Sequence, residues 1–157
     1  MIETGLSEAE RRAVDTAFEL ARRAAESGDV PVGAVLLTPS GVVAGLGLNQ
    51  REVEPFDPTA HAEIVALREA AGRLGRWRLD GATLVVTLEP CTMCAGAIVS
   101  ARVSRLIFGA WDPKAGACGS VRDVVRDSRL NHQVEVIGGV DEERCGGLLT
   151  DFFSRQR

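Results

Sequence analysis

Two short motifs constrain this chain more than anything else in it: His61-Ala62-Glu63 and Pro90-Cys91-Thr92-Met93-Cys94. An imidazole and two thiols are good zinc donors, the thiols ionising as they bind. Cys91 and Cys94 stand three apart at the predicted start of a helix, so both project from one side of its first turn. The free amides and positive end of that helix favour thiolate over thiol. His61 opens a second predicted helix. A fold for this chain must therefore bring two helix starts to face each other across neighbouring strand ends.

The rest of the pattern supplies those elements. Ser7 and Glu10 form a capping box. Val14, Ala17, Phe18, Ala21 and Ala25 then recur at helical spacing until Ser27-Gly28. Residues 30–38 and 42–48 read as strands joined through Pro39-Ser40-Gly41, and a polar, proline-bearing loop covers 50–59. A helix over 60–74, a strand over 83–88, a helix over 90–100 and a strand over 103–109 follow. Residues 110–120, rich in Gly and Ala, read as a functional loop. Short helical and strand signals come next, with a strand at 134–137 and a last helix over 141–153. Strand–helix–strand units favour parallel pairing with helices on both faces, and the opening hairpin makes the sheet mixed. The expected fold class is α/β: a three-layer α/β/α arrangement around a mixed five-stranded sheet, with residues 1–157 as one domain.

Length and composition agree. A chain of 157 residues is long enough to bury a core without disulfides. With 45% apolar and 25% charged residues it is neither disordered, collagen-like nor membrane-spanning. Its acidic start lacks a signal-peptide pattern, which places it in the cytoplasm. A net charge of −4 advertises no general nucleic-acid affinity. Residues 100–130 do gather Arg102, Arg105, Lys114, Arg122, Arg126 and Arg129 against Asp112, Asp123 and Asp127. Taken alone, that segment reads as a paired, solvated surface more readily than as a phosphate footprint.

A three-ligand site leaves one tetrahedral position open, which separates catalytic from structural zinc; water there ionises near pH 7. Glu63 is the candidate base beside it. Residues two apart lie ~200° around a helix, so His61 and Glu63 converge only on a metal off the helix end. Each piece has a plainer reading. A lone Cys-x-x-Cys is often redox-active, and Cys118 or Cys145 as a fourth ligand would close the site. Cys118 and Cys145 read better as packed thiols, and His132 as structural. Together, however, the two motifs form the H-x-E…P-C-x-x-C pattern of zinc deaminases, with the glutamate a proton shuttle rather than a ligand.

Longer blocks sharpen this. VPVGAV from Val30, DPTAHAEI from Asp57, TLEPCTMCAGAI from Thr87, FGAWDPKAGACGS from Phe108, NHQVEV from Asn131 and CGGLLTDFF from Cys145 resemble the bacterial tRNA adenosine deaminase (TadA) family of the cytidine-deaminase-like superfamily. The resemblance spans nearly the whole chain. It implies a hydrolase: zinc (Zn2+), one per subunit, on His61, Cys91 and Cys94, with Glu63 moving the proton from water to N1 of adenine. Water attacks C6, ammonia leaves, and inosine results. Asn49 would hydrogen-bond the target base, and Asp112 and Lys114 would line the RNA side of the pocket. The implied substrate is the wobble adenosine (position 34) of an arginine tRNA anticodon stem-loop. The implied assembly is a homodimer, with no organic cofactor and no membrane partner.

Trp111 departs from the family pattern and reads either as packing or as a surface for a stacked base. The rim after Gln50 also departs. Phe152 and Phe153 read as core anchors or as contacts near the anticodon, and Arg155 and Arg157 as the only basic residues at the C-terminal end. Two other functions compete: deamination of free nucleobases or nucleosides with the same zinc and glutamate, and a zinc-stabilised RNA-binding module without catalysis. The blocks after Phe108 weigh against the first and Glu63 against the second.

Overall fold

The capping box forms as its sequence indicates: Ser7 Oγ accepts the Glu10 N–H at 3.1 Å and Glu10 Oε1 accepts the Ser7 N–H at 2.9 Å. From it runs α1 (Glu8–Glu26), the first element of a computed structural model that describes residues 5–156. Next come β1 (Gly33–Leu37), β2 (Val43–Leu48), α2 (Ala62–Leu74), β3 (Thr83–Leu88) and α3 (Thr92–Ser100). The chain ends with β4 (Arg105–Ala110), β5 (Glu135–Ile137) and α4 (Glu142–Arg155). Arg157 lies outside the described residues. No helix among these is long and apolar enough to cross a membrane.

The strands form one mixed sheet in the order β2-β1-β3-β4-β5. β1 is antiparallel to both its neighbours, while β3, β4 and β5 are parallel, β3 joined to β4 through α3 and β4 to β5 through a long irregular connection. Side chains alternate along each strand, and both faces are buried. Ala34, Leu36, Leu84, Val86, Leu106 and Phe108 meet α2 and α3 on one face. Val35, Leu37, Val85 and Ile107 meet α1 on the other, where α4 also lies against β4. This is the expected three-layer α/β/α arrangement.

Helix and sheet approach closely because small residues face each other. Ala62, Ala66 and Ala70, four apart on α2, lie over Gly45 and Gly47 of β2. A Cβ on Gly47 would strike the Ala62 carbonyl and come within 2.7 Å of the Ala66 nitrogen, both backbone atoms that cannot yield. Gly47→Ala is therefore expected to cost at least about 2 kcal/mol and lower Tm by roughly 4–8 °C, measured by thermal denaturation. An unchanged Tm would contradict this packing.

Three expectations need correction. β1 starts later than residue 30, because the Val32 N–H turns back to the Val30 carbonyl at 2.9 Å and breaks the extended run. The helical signal after Ser120 forms no helix; that stretch holds an isolated Cys118–Asp123 bridge and turns. Finally, the strand ends leading into α2 and α3 are not neighbours, since β1 lies between β2 and β3. The segment leading into β1, with Val30 and Val32, consequently forms part of the pocket.

Candidate metal centre and substrate pocket

β2 and β3 run out at the same edge of the sheet, so α2 and α3 both begin there. Each helix begins on a proposed ligand. His61 is the N-cap of α2 and Cys91 the N-cap of α3, both in extended backbone conformation, and neither side chain caps its helix. A serine or aspartate usually fills this position and consumes its oxygen on the helix amides. Here the donor atoms stay free. His61, lying just outside the helix, can therefore point the same way as Glu63 inside its first turn.

His61, Cys91 and Cys94 place their donor atoms within 4.8 Å of one another, the one such group of His, Cys, Asp or Glu side chains among the described residues. His61 Nδ1 lies 3.7 Å from Cys91 Sγ and 3.6 Å from Cys94 Sγ. Tetrahedral zinc at ~2.3 Å from sulfur and ~2.0 Å from nitrogen separates such donors by about 3.6 Å. The residues fit the ion. Cys118 and Cys145 are buried elsewhere, and burial pushes the Cys145 thiol up to about 11. Neither joins the group, so it offers three ligands rather than four.

The electrostatics of the group follow from its closeness. The Cys94 thiol donates to Cys91, which together with His61 holds the Cys91 thiol down at about 3 against the opposing effect of burial. The same contact, with burial, raises Cys94. Cys91 also raises His61. Glu63 is 4% exposed, and burial pushes its carboxyl up to about 7. A dication among the donors would act in the opposite direction.

His61, Glu63 and Cys91 open into a cavity of about 160 Å³, walled also by Val30, Asn49, Arg51, Glu89 and Asp112. Asn49 is 6% exposed, and its Oδ1 accepts the Ala62 N–H at 2.8 Å, so the residue that follows β2 caps α2 in place of His61. Its amide nitrogen is the group left for a ligand. Asp112 borders the cavity and Lys114 does not. Lys114 instead lines a neighbouring groove of about 740 Å³ with Asp112, Trp111 and Phe153.

Sequence reading passed over the two groups that shape the rims. Asp29, 1% exposed, accepts N–H groups of Val30, Arg51 and Glu52 at 2.6–3.0 Å and the Arg51 guanidinium at 2.7 Å. Burial works against its charge, but the Arg51 guanidinium and these amides outweigh it and hold the carboxyl below its usual range. Glu89, also 1% exposed, accepts from Asp112, Cys118 and Ser120, and these donors likewise lower its carboxyl against burial. Most of the donors are distant in sequence, and most are backbone amides. No pattern in the chain signals them.

Half of the six basic residues in the arginine-rich segment find carboxylates. Arg105 pairs with Glu10 and Glu135, Arg126 with Asp123, and Arg129 with Asp127, while Arg102 binds carbonyls and lies over Trp77. Among the described residues Lys114 and Arg122 form no ion pair. Trp111 packs edge-on against Phe108 with centroids 4.8 Å apart, yet keeps 40% of its surface exposed to the groove. Packing and exposure thus both hold. His132 Nε2 lies 2.6 Å from the Val103 carbonyl, a contact internal to the fold.

Residues 7–110 match the model of the cytidine and deoxycytidylate deaminase zinc-binding region. The chain is 50% identical over 141 residues to the tRNA-specific adenosine deaminase of Bacillus subtilis (strain 168), covering 90% of this chain and 86% of that protein. A solved structure from studies of A-to-I editing by tRNA:A34 deaminases at the wobble position of transfer RNA superposes with a TM-score of 0.83. It is 43% identical and covers 88% of this chain and 99% of that one. The guanine deaminase from Nitrosomonas europaea shares the fold, with a TM-score of 0.73 at 24% identity over 98% of this chain and 97% of that one.

Proposed function

The chain belongs to the cytidine and deoxycytidylate deaminase zinc-binding family, a family of hydrolases of C–N bonds, and from that premise we propose that it deaminates adenosine to inosine at wobble position 34 of an arginine tRNA anticodon, releasing ammonia. The observation that carries this reading is the meeting of His61, Cys91 and Cys94 with a buried Glu63 and the free amide of Asn49 around one cavity. Its tRNA side rests on the relatives. Residues 1–157 act as a single domain with one zinc per subunit.

Zinc held by His61, Cys91 and Cys94 would supply a Lewis acid that makes water nucleophilic at neutral pH. Glu63 would take one proton from the attacking water and give it to N1 while the oxygen bonds to C6. The remaining proton leaves with the amino group as ammonia, so inosine and ammonia account for every atom of adenosine and water. Burial of Glu63 keeps bulk water from competing for the proton. Asn49 donates from its amide nitrogen to the base, its oxygen being committed to α2. Asp112 and Lys114 hold the flanking nucleotides at the groove, where Trp111 offers a stacking face. An unpaired loop base enters such a pocket at little cost.

An apolar groove between α2 and α3, with Ile64, Leu67, Trp77 and Ala97 on its walls, supports assembly as a homodimer. The proposed location is the cytoplasm, with no membrane partner and no organic cofactor.

Mass spectrometry of an arginine tRNA anticodon stem-loop after incubation with the protein tests the reading, beside free adenosine, cytosine and guanine. The expected result is a gain of about one dalton at position 34, the exchange of an amino group for oxygen, with the free compounds unchanged. Turnover of a free base and none of the stem-loop would overturn it in favour of a nucleobase deaminase.

A further inference from the structure

Glu89 ends up at an unusual junction. It follows β3, precedes Pro90 and Cys91, and is almost wholly buried. Its two carboxylate oxygens serve different parts of the loop after β4. Oε1 accepts the Asp112 N–H at 2.9 Å and the Ser120 hydroxyl. Oε2 accepts the Cys118 N–H at 3.0 Å and the Ser120 N–H at 2.9 Å. A Cβ on Gly116 would collide with the carboxyl group, so the loop needs a glycine there to wrap around it. The Ala117 N–H completes the attachment by donating to the Pro90 carbonyl at 2.8 Å.

We propose that Glu89 is a positioning residue that fixes Asp112 at the pocket wall relative to the Cys91 half of the metal centre. The inference rests on the functional reading above, in which Asp112 meets the substrate. The loop around Asp112 has turns and one isolated bridge in place of a sheet ladder, so its amides need another acceptor. One carboxylate supplies it. Because Glu89 is joined to Cys91 through a single proline, substrate wall and metal half-site move as one body. The wall is thereby set before substrate arrives, as rigid placement of a binding group requires.

The division between the oxygens makes the proposal testable. A glutamine at this position has one accepting oxygen and one donating nitrogen. With its oxygen in the place of Oε2 it keeps the Cys118 and Ser120 amides satisfied, and the Ser120 hydroxyl can rotate to accept. Only the Asp112 N–H then faces a donor. Glu89→Gln should therefore release Asp112 and leave the remainder of the loop attached.

In the zinc-loaded full chain, NMR-detected hydrogen exchange is expected to show the Asp112 amide exchanging at least roughly tenfold faster in Glu89→Gln, with Cys118 and Ser120 unchanged. On the stem-loop, KM is expected to rise roughly tenfold with kcat per bound zinc changing far less. Ser120→Ala, which removes a donor to the same oxygen without touching the Asp112 bond, should leave both readouts near wild type. If Glu89→Gln does not fold, Gly116→Ala serves in its place, because its methyl displaces the carboxyl group and should produce the same rise in KM. Unchanged Asp112 exchange, or a fall in zinc content and kcat at constant KM, would overturn the proposal. Exchange is read without RNA, so its failure is distinct from the failure of wild-type protein to modify the stem-loop.

Discussion

Glu63→Gln should abolish turnover while leaving zinc in place. The side chain is proposed to carry the proton both from water and to N1, and a positioned acid–base group contributes roughly 10²–10⁴-fold to a rate. Losing both roles at once is expected to reduce kcat by at least about 10³-fold, or about 4 kcal/mol of barrier. Glutamine keeps the shape and cannot accept the proton. Metal content should not change, because the three donors are His61, Cys91 and Cys94. Stability gives a second readout of opposite sign. The folded-state carboxyl titrates at about 7, above its ordinary value of 4.5. In the metal-free protein the folded state therefore holds the proton more tightly, and stability falls as pH rises between those values. Above them the cost is about 3 kcal/mol, which the uncharged glutamine removes. Metal-free Glu63→Gln should thus melt several degrees higher than wild type at pH 8 and equally at pH 4. Loss of turnover with a lower Tm, or with zinc missing, would indicate damage to the fold instead. Substantial residual turnover would remove Glu63 from the mechanism and revive the non-catalytic reading.

How much of this was legible beforehand follows from the range of the interactions involved. The metal group was legible because each half is local: Cys91 and Cys94 share one helical turn, and His61 and Glu63 flank one helix start. The four helices were legible from helical periodicity, and the five strands from short apolar runs between turn residues, since burial on both sheet faces leaves such runs continuous. Their ends were less so, as with Val30, whose neighbour Asp29 draws its amide out of the strand. Strand order was not legible. Nothing in the hydrophobic pattern of β1 says that it pairs with β3 as well as β2. The rims were illegible for a related reason. Neither Asp29 nor Glu89 stands out in the sequence, because both bind amides 22 to 31 positions away. The arginine-rich segment read as a paired, solvated surface, and three of its six cations find carboxylates. Its partners include Glu10, almost a hundred residues earlier, which no local count of charges reveals. Sequence suggested for Asn49 a contact to the base and not the bond the fold shows. Its oxygen serves the helix that holds His61 and Glu63, so Asn49→Ala is expected to disturb the metal centre beside the proposed contact to the base.

Withdrawing the metal should separate function from fold. Chelation, or Cys94→Ala, is expected to eliminate turnover, since His61, Cys91 and Cys94 together hold the ion and two of them do not make a tight site. The fold should survive. The two apolar layers on either side of the sheet are built from residues other than these three, except that Cys94 itself is buried beside α2. A zinc finger, by contrast, has too little core to fold without its ion. Here zinc adds only the linkage term, about 4 kcal/mol at a thousandfold excess over Kd, or a Tm lower by roughly 8–16 °C when it is removed. Far-ultraviolet circular dichroism of the chelated protein should match the loaded form, and zinc should restore turnover. The free site also predicts the pH dependence of loading. Cys91 and burial favour the thiol form of Cys94, and Cys91 favours the charged form of His61, so protons compete with the metal for these donors. Apparent affinity is therefore expected to rise with pH, with net proton release detectable by calorimetry in buffers of different ionisation enthalpy. Cys118→Ala is the matched control: a buried thiol near the same loop, outside the ligand group, whose loss should leave zinc bound. Zinc lost from Cys118→Ala and retained by Cys94→Ala would exchange their roles and make the centre a different one. Unfolding on chelation would make the ion structural.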